Sequence, residues 1–209
     1  ELAAKGAALA HQKLFLVGAL LVVSGLAFKI AAFPLQVWAP DVYQGAPAPV
    51  SGFLTVGPKA AAFAVLIRIF VEAFSNISDR WLPVVWGCAL ATMLIGNLAA
   101  LVQTNIKRML AYSSIAHAGY VLVAVAANSG TGSAAAMFYL AAYAFTNIGA
   151  FTIVSHFARK GEKYVAIDDL AGLSQKQPAL AAMFTIFLLS LIGVPLTGGF
   201  FGKFYIFKA

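Results

Sequence analysis

The stretch AFKIAAFPLQVWAPDVYQGAPAPVSGF, residues 27–53, continues an apolar run that begins at Leu14 and is long enough to enter a bilayer. Lys29 stands near the end of that run, and Pro34, Pro40, Pro47 and Pro49 then fall within sixteen residues. In hydrocarbon, a full charge and a broken backbone both need polar partners. Their adjacency predicts a helix interrupted inside protein, beside a hydrated interior, with the Pro-rich continuation as an irregular, protein-buried lid.

The composition sets the solvent. Of 209 residues, 62% are hydrophobic and 10% charged, with a mean hydropathy of +0.88, whereas soluble domains carry about 25% charged residues. The expected class is an all-α integral membrane protein, since a transmembrane β-barrel would alternate polar and apolar residues in short segments. The formal charge of +7 is assigned to loops on the cytoplasmic side. No aromatic-basic face or nucleic-acid motif accompanies it, so no nucleic-acid partner is expected. The single cysteine, Cys88, can neither close an internal disulfide nor hold an iron–sulfur cluster. The start at Glu1 on a short amphipathic stretch and the stop at Ala209 suggest an internal piece of a longer subunit.

Six apolar runs read as transmembrane helices, over residues 14–33, 50–71, 82–102, 110–127, 133–157 and 179–207. The connections after the first, third and fifth share one side and hold Lys107, Arg108, Arg159, Lys160, Lys163 and Lys176. The other side holds Lys5, Lys13 and Arg80, so the Pro-rich connection is placed in the cytoplasm. Asn105 and Lys107 read as loop residues. Asp168 and Asp169 are expected to cap a short surface helix, and Arg68 and Glu72, four apart, to pair at the end of the second span.

The sixth run is also interrupted. Its first 14 residues make about 21 Å of helix at 1.5 Å per residue, short of the roughly 30 Å hydrocarbon core. GVPLTGGF (193–200) follows, with Pro195 removing a donor and three glycines loosening the chain. Lys203 lies just past this break, as Lys29 lies just before the break at Pro34. Paired interrupted spans point to an ion site in repeat-built transporters.

Lys29, Lys59 and Lys203 all fall within spans. Each costs about 2.5–3.5 kcal/mol at a helix centre by insertion scales. Snorkelling to the headgroups would explain one near a helix end, but not Lys59, well inside VSGFLTVGPKAAAFAVLIRIF. Lysine suits a proton relay because burial disfavours its charged form. His117, in AYSSIAHAGYVL, is either a hydrogen-bonded packing residue or a relay between the lysines. Thr146 and Asn147 are expected to join helices by hydrogen bonds, and His156 to sit at the interface. No P-loop, GxGxxG, HExxH or triad pattern is present.

FKIAAFPLQVWAPDVYQGAPAPVSGFLTVGPKAA, NIKRMLAYSSIAHAGYVLV and DDLAGLSQKQPALAAMFTIFLLSLIGVPLTGGFFGKFYIF together resemble the antiporter-like subunit N of proton-pumping NADH:quinone oxidoreductase, respiratory complex I. The likeness runs over nearly the whole chain. It implies a single transmembrane fragment, 1–209, of an antiporter-like fold built from inverted repeats, corresponding to family helices seven to twelve. The end of the first repeat would cover about 14–72 and most of the second about 82–209. Helices seven and twelve are discontinuous in the family, as read here at Pro34 and Pro195. Lys29 looks like the helix-seven lysine that pairs with a helix-five glutamate, which would lie upstream of Glu1. Lys59 looks like the central helix-eight lysine, Lys203 like the exit-side helix-twelve lysine, and His117 matches a polar position near the central axis. Asp41-Val42-Tyr43 fits subunit N better than the sister subunits, while Gln36 and Ala39 depart from residues often found there.

The function implied is proton translocation through a row of intramembrane lysines. This chain would bind no redox cofactor itself, with NADH, flavin, iron–sulfur clusters and quinone held by partner subunits. The other complex I membrane subunits and the lipid bilayer are the expected partners, and an energy-transducing membrane, the bacterial inner (plasma) membrane, the expected location. The alternatives are a multisubunit sodium/proton antiporter of the same fold and a membrane anchor whose lysines only snorkel.

Overall fold

The computed structural model describes residues 13–158 and 161–209. Glu1, Lys5, Arg159 and Lys160, which entered the sequence reading, lie outside the described residues, as does the side chain of Lys13. The described residues are helical with no strand: α1 Lys13–Ile30, α2 Trp38–Gly45, α3 Ala48–Ile67, α4 Ser78–Leu101, α5 Ile106–Ala126, α6 Gly130–Ala158, α7 Leu173–Lys176, α8 Pro178–Ile192 and α9 Gly198–Lys208. A π-helical segment, Arg68–Ala73, continues α3, and 3-10 turns cover Ser75–Ile77 and Ile167–Leu170.

Among the described residues, four helices are long and apolar enough to cross a membrane: α3 with its π-helical continuation, α4, α5 and α6. The other two expected spans are the interrupted ones. The first has a shorter apolar stretch, Val17–Ile30, and the sixth is two helices, α8 and α9, neither of them 18 residues long. Arg68 and Glu72 depart from expectation. Both are exposed and no ion pair joins them. They lie in the π-helical segment that continues α3.

Local chemistry sets the interruptions. At the first, α1 stops at Ile30, Ala31 adopts φ 57°, and the Phe33–Pro34 bond is cis. The Phe33 amide donates to Thr92 Oγ1 on α4 at 2.9 Å, and Trp38 Nε1 donates to Phe28 O at 3.0 Å across the break. One face of helix α2 packs on protein, with Ala39 and Tyr43 buried in a cluster with Ala31 and with Ala111 and Ile115 of α5, while Asp41, Val42, Gln44 and Gly45 are exposed, so the Pro-rich continuation is buried only in part. At the second, Gly193 ends α8 at φ 92°, a left-handed C-terminal position that glycine adopts without a Cβ penalty. Thr197 starts α9, its hydroxyl accepting from the Phe200 amide.

Helix α6 is the hub, packing on α3, α5, α8 and α9, while α4 lies along α5. The buried face of α4 carries Ala89, Thr92 and Gly96 at helical spacing, small side chains that let membrane helices approach closely. The connections after the first, third and fifth expected spans meet at one end of the bundle. The Ile106 amide donates to Val165 O at 2.9 Å, the Ile167 amide to Thr104 O at 2.8 Å, and the Ala48 amide to Glu162 Oε1 at 2.5 Å.

Candidate functional site: a buried polar row

Lys59 sits on α3 and is 2% exposed. Its ammonium is turned into the bundle and donates to Ser114 O at 2.8 Å and Ser114 Oγ at 2.9 Å on α5. The preceding residue shapes the approach. Pro58 has no N–H, so Leu54 O loses its helical donor, and the Tyr43 hydroxyl of α2 supplies one at 3.3 Å. One turn nearer the start of α3, on its contact with α6, Asn147 donates to Thr55 Oγ1, whose hydroxyl donates to Gly52 O. Thr146, expected to do the same, bonds only the carbonyls of Ala142 and Tyr143 on its own helix.

One turn past Ser114, the buried His117 meets Tyr139 of α6 through its Nδ1 and the tyrosine hydroxyl. The rings of Tyr120 and Tyr143 also lie against it, at centroid distances of 5.6 and 5.0 Å. A cavity of about 10 Å³ is bordered by Lys59, Ser114, His117, Tyr139 and Tyr143, close to the size that holds one water. The Tyr143 hydroxyl is buried at this cavity without a hydrogen-bond partner.

Lys203 reaches the same group from the second break. From α9 it folds back onto the end of α8, donating to Leu191 O at 2.8 Å and Ile192 O at 2.9 Å. These are terminal carbonyls with no helical donor, at the negative end of the helix dipole. Its ammonium also lies 4.8 Å from the centroid of Tyr120, a cation–π distance. The interruption therefore supplies the acceptors for the lysine beside it. Gly199 lets the two half-helices close, because a Cβ there would lie 1.8 Å from Ser190 O.

Counting helical rise places the row in depth. Lys59 is eleven residues from Ala48, and His117 eleven from Ile106. At 1.5 Å per residue both lie about 17 Å from the end of the bundle where their helices start. Tyr120 is three residues further, about 5 Å. Tyr120 is flanked by the His117 ring and the Lys203 ammonium, and Lys59 bonds Ser114, one turn before His117. Lys29 is not drawn into this group. It is exposed on the last turn of α1, and no hydrogen bond or ion pair joins it to the row among the described residues.

Sequence reasoning missed Lys107. Expected in a loop, it is 1% exposed in the first turn of α5 and ion-paired with Glu162. Asn105 is the cap that starts the helix, its side chain accepting from the amides of Lys107 and Arg108. That cap was the available signal. The expected capping of a surface helix by Asp168 and Asp169 is not seen: both lie inside the Ile167–Leu170 turn, where the Asp169 carboxylate accepts from the Ala166 amide, and α7 follows Gly172 with no side-chain cap. His156 is exposed in the last turn of α6.

Comparison with known proteins places this geometry. The family model described as NADH:quinone oxidoreductase/Mrp antiporter, TM, matches residues 2–209. The chain belongs to this family. It is 70% identical over 193 residues to NADH-quinone oxidoreductase subunit N 1 of Solibacter usitatus, covering 92% of this chain and 40% of the relative. It is 48% identical over 199 residues to NADH-quinone oxidoreductase subunit N of Trichlorobacter lovleyi, covering 95% and 41%. The chain thus spans about 40% of the length of these relatives. Among solved structures, a chain of respiratory complex I from Thermus thermophilus superposes with a TM-score of 0.74 at 39% identity, covering 88% of this chain and 40% of that one. A chain of the Mrp complex from Dietzia gives a TM-score of 0.87 at 27% identity, covering 96% and 37%. The family and the apolar helices make this a multi-pass membrane protein.

Proposed function

We propose that the chain is the central part of a proton-translocating membrane subunit of NADH:quinone oxidoreductase, and that Lys59, His117 and Lys203 form its proton relay. The observation that carries this reading is Lys59: a lysine 2% exposed, mid-way along a spanning helix, with its ammonium held by Ser114 and its side chain lining a small cavity that His117 also lines. A charge in that position is costly in lipid and marks a functional path. In this reading a proton passes from the Lys59 ammonium by way of one water to His117 Nε2, while Tyr139 holds Nδ1 and fixes the ring. It leaves toward Lys203 when that residue is the neutral amine, and the ammonium so formed is held by the α8 carbonyls. Lys29 enters the relay through an acidic partner on a preceding helix of the full subunit.

The remaining assignments belong to the same proposal. Six spans are arranged as parts of two inverted repeats, divided near residues 72 and 82. NADH, flavin, iron–sulfur clusters and quinone are held by partner subunits, redox energy arrives from neighbouring membrane subunits, and the location is the bacterial inner membrane. A second reading, sodium/proton antiport, draws on the TM-score of 0.87 with the Mrp complex chain; the 70% identity with subunit N favours the first. The whole complex, reconstituted in liposomes and supplied with NADH and quinone, separates them. Proton uptake that persists without sodium supports the proposal, and uptake that requires sodium overturns it.

A further inference from the structure

The end of the bundle where three connections meet holds a second buried charge, remote from the row. Lys107 Nζ donates to Gln44 O at 2.9 Å, to Ala46 O at 2.5 Å and to the Glu162 carboxylate, which engages all three ammonium protons. The other Glu162 oxygen accepts from the Ala48 amide, an orphan donor of the first turn of α3. Glu162 adopts φ 49° directly after Gly161 at φ 82°, a backbone region uncommon for a side-chain-bearing residue, and its carboxylate points into the junction. One carboxylate thereby joins the 161–167 connection, the α2–α3 junction and the start of α5. Arg108 adds a second link, donating to Asp41 at 2.5 Å and to Gln44 Oε1 at 3.0 Å on α2.

We propose that Lys107 and Glu162 are a positioning pair, a buried clasp that pins the start of α3 to the start of α5 and so sets the height at which Lys59 meets Ser114. The same two helices are joined twice. At their ends Ala48 is tied to Lys107 through Glu162, and about three turns in, Lys59 bonds Ser114 directly. A helix is stiff over that length, so the clasp at one end fixes the register at the other. Removing the carboxylate leaves Lys107 a buried charge with only carbonyl partners and leaves the Ala48 amide without an acceptor, which frees α3 to shift along α5.

The link to transport rests on the relay reading, and the test separates the two. Whole complexes carrying Glu162→Ala, Glu162→Gln, Lys59→Ala or Glu162→Ala/Lys59→Ala are compared by amide hydrogen exchange over residues 46–56 and by protons moved per electron. Glu162→Ala should speed exchange in that segment at least tenfold and lower the proton-to-electron ratio by half or more, while Lys59→Ala leaves the exchange at its wild-type rate. The double variant should pump no worse than Lys59→Ala alone, because the clasp acts through Lys59. If Glu162→Ala does not assemble, Glu162→Gln decides, with exchange at least threefold faster expected. Wild-type exchange in the decisive variant overturns the proposal, as does faster exchange with an unchanged ratio while Lys59→Ala lowers it. A wild-type ratio in Lys59→Ala overturns the relay reading alone, and exchange then judges the clasp.

Discussion

Gly198 and Gly199 are neighbours at the start of α9, and alanine should have opposite consequences at the two. At 199 the new Cβ would lie 1.8 Å from Ser190 O and 2.8 Å from its carbonyl carbon. Reaching an ordinary contact of 3.4 Å requires the end of α8 to move by about 1.6 Å, the difference between the two distances. The next two carbonyls, Leu191 O and Ile192 O, hold Lys203 at 2.8 and 2.9 Å, and such a shift carries them beyond hydrogen-bonding distance. Overpacking costs about 1–3 kcal/mol, and a lost hydrogen bond to a charged group about 1.5–3 kcal/mol. Together they exceed about 3 kcal/mol, which is roughly a hundredfold or more in an equilibrium constant. At 198 the new Cβ would sit 3.6 Å from Ala142 Cβ, an ordinary contact, and the change should stay within about 1 kcal/mol of wild type. The assay is heat inactivation of the whole solubilised complex together with protons moved per electron. Gly199→Ala should inactivate at a lower temperature and pump less, and Gly198→Ala should match wild type. Equal behaviour of the two variants would refute the close approach at the second break.

Further expectations follow from single contacts. Tyr139→Phe removes the hydroxyl that holds His117 Nδ1, so the complex should assemble but pump less, at a cost of about 1–3 kcal/mol to the site; an unchanged proton-to-electron ratio would count against His117 in the relay. Asn147→Leu removes the buried link from α6 to Thr55 and should lower heat resistance by an amount corresponding to about 1–3 kcal/mol, read from the midpoint of thermal inactivation. Lys59→Arg should assemble and pump poorly, because a guanidinium stays protonated and cannot release a proton; wild-type pumping by this variant would show that Lys59 acts only as a fixed charge.

The interruptions were legible because proline and glycine break a helix wherever they stand, and GVPLTGGF leaves the chain little choice. Lys59 was legible because it stands deep in its apolar run, nine residues from the run's other charge, Arg68, which lies near its end. Lys107 was not. It follows a polar segment and precedes Arg108, a context that resembles a solvated loop, and its burial depends on Glu162, 55 residues away, which no local pattern reports. The Arg68–Glu72 pair expected from spacing does not form: both side chains are exposed, and spacing alone does not hold two solvated charges together. The sixth run was legible as an interrupted one, and the left-handed backbone at Gly193 and Leu196 is where it divides. Where Lys29 finds a partner is a matter of packing beyond its own helix, so neither its depth in the sequence nor the Pro34 break could place it.

The relay stands or falls on Lys59. Protons translocated per electron should be measured with the whole complex in sealed liposomes carrying Lys59→Ala, alongside the rate of NADH oxidation and the amount of assembled complex. The expected result is an assembled complex that still oxidises NADH while its proton-to-electron ratio falls well below wild type, because the ammonium that bonds Ser114 beside the His117 cavity is gone. An assembled Lys59→Ala complex that pumps at the wild-type ratio would contradict the assignment of the buried row as the proton path.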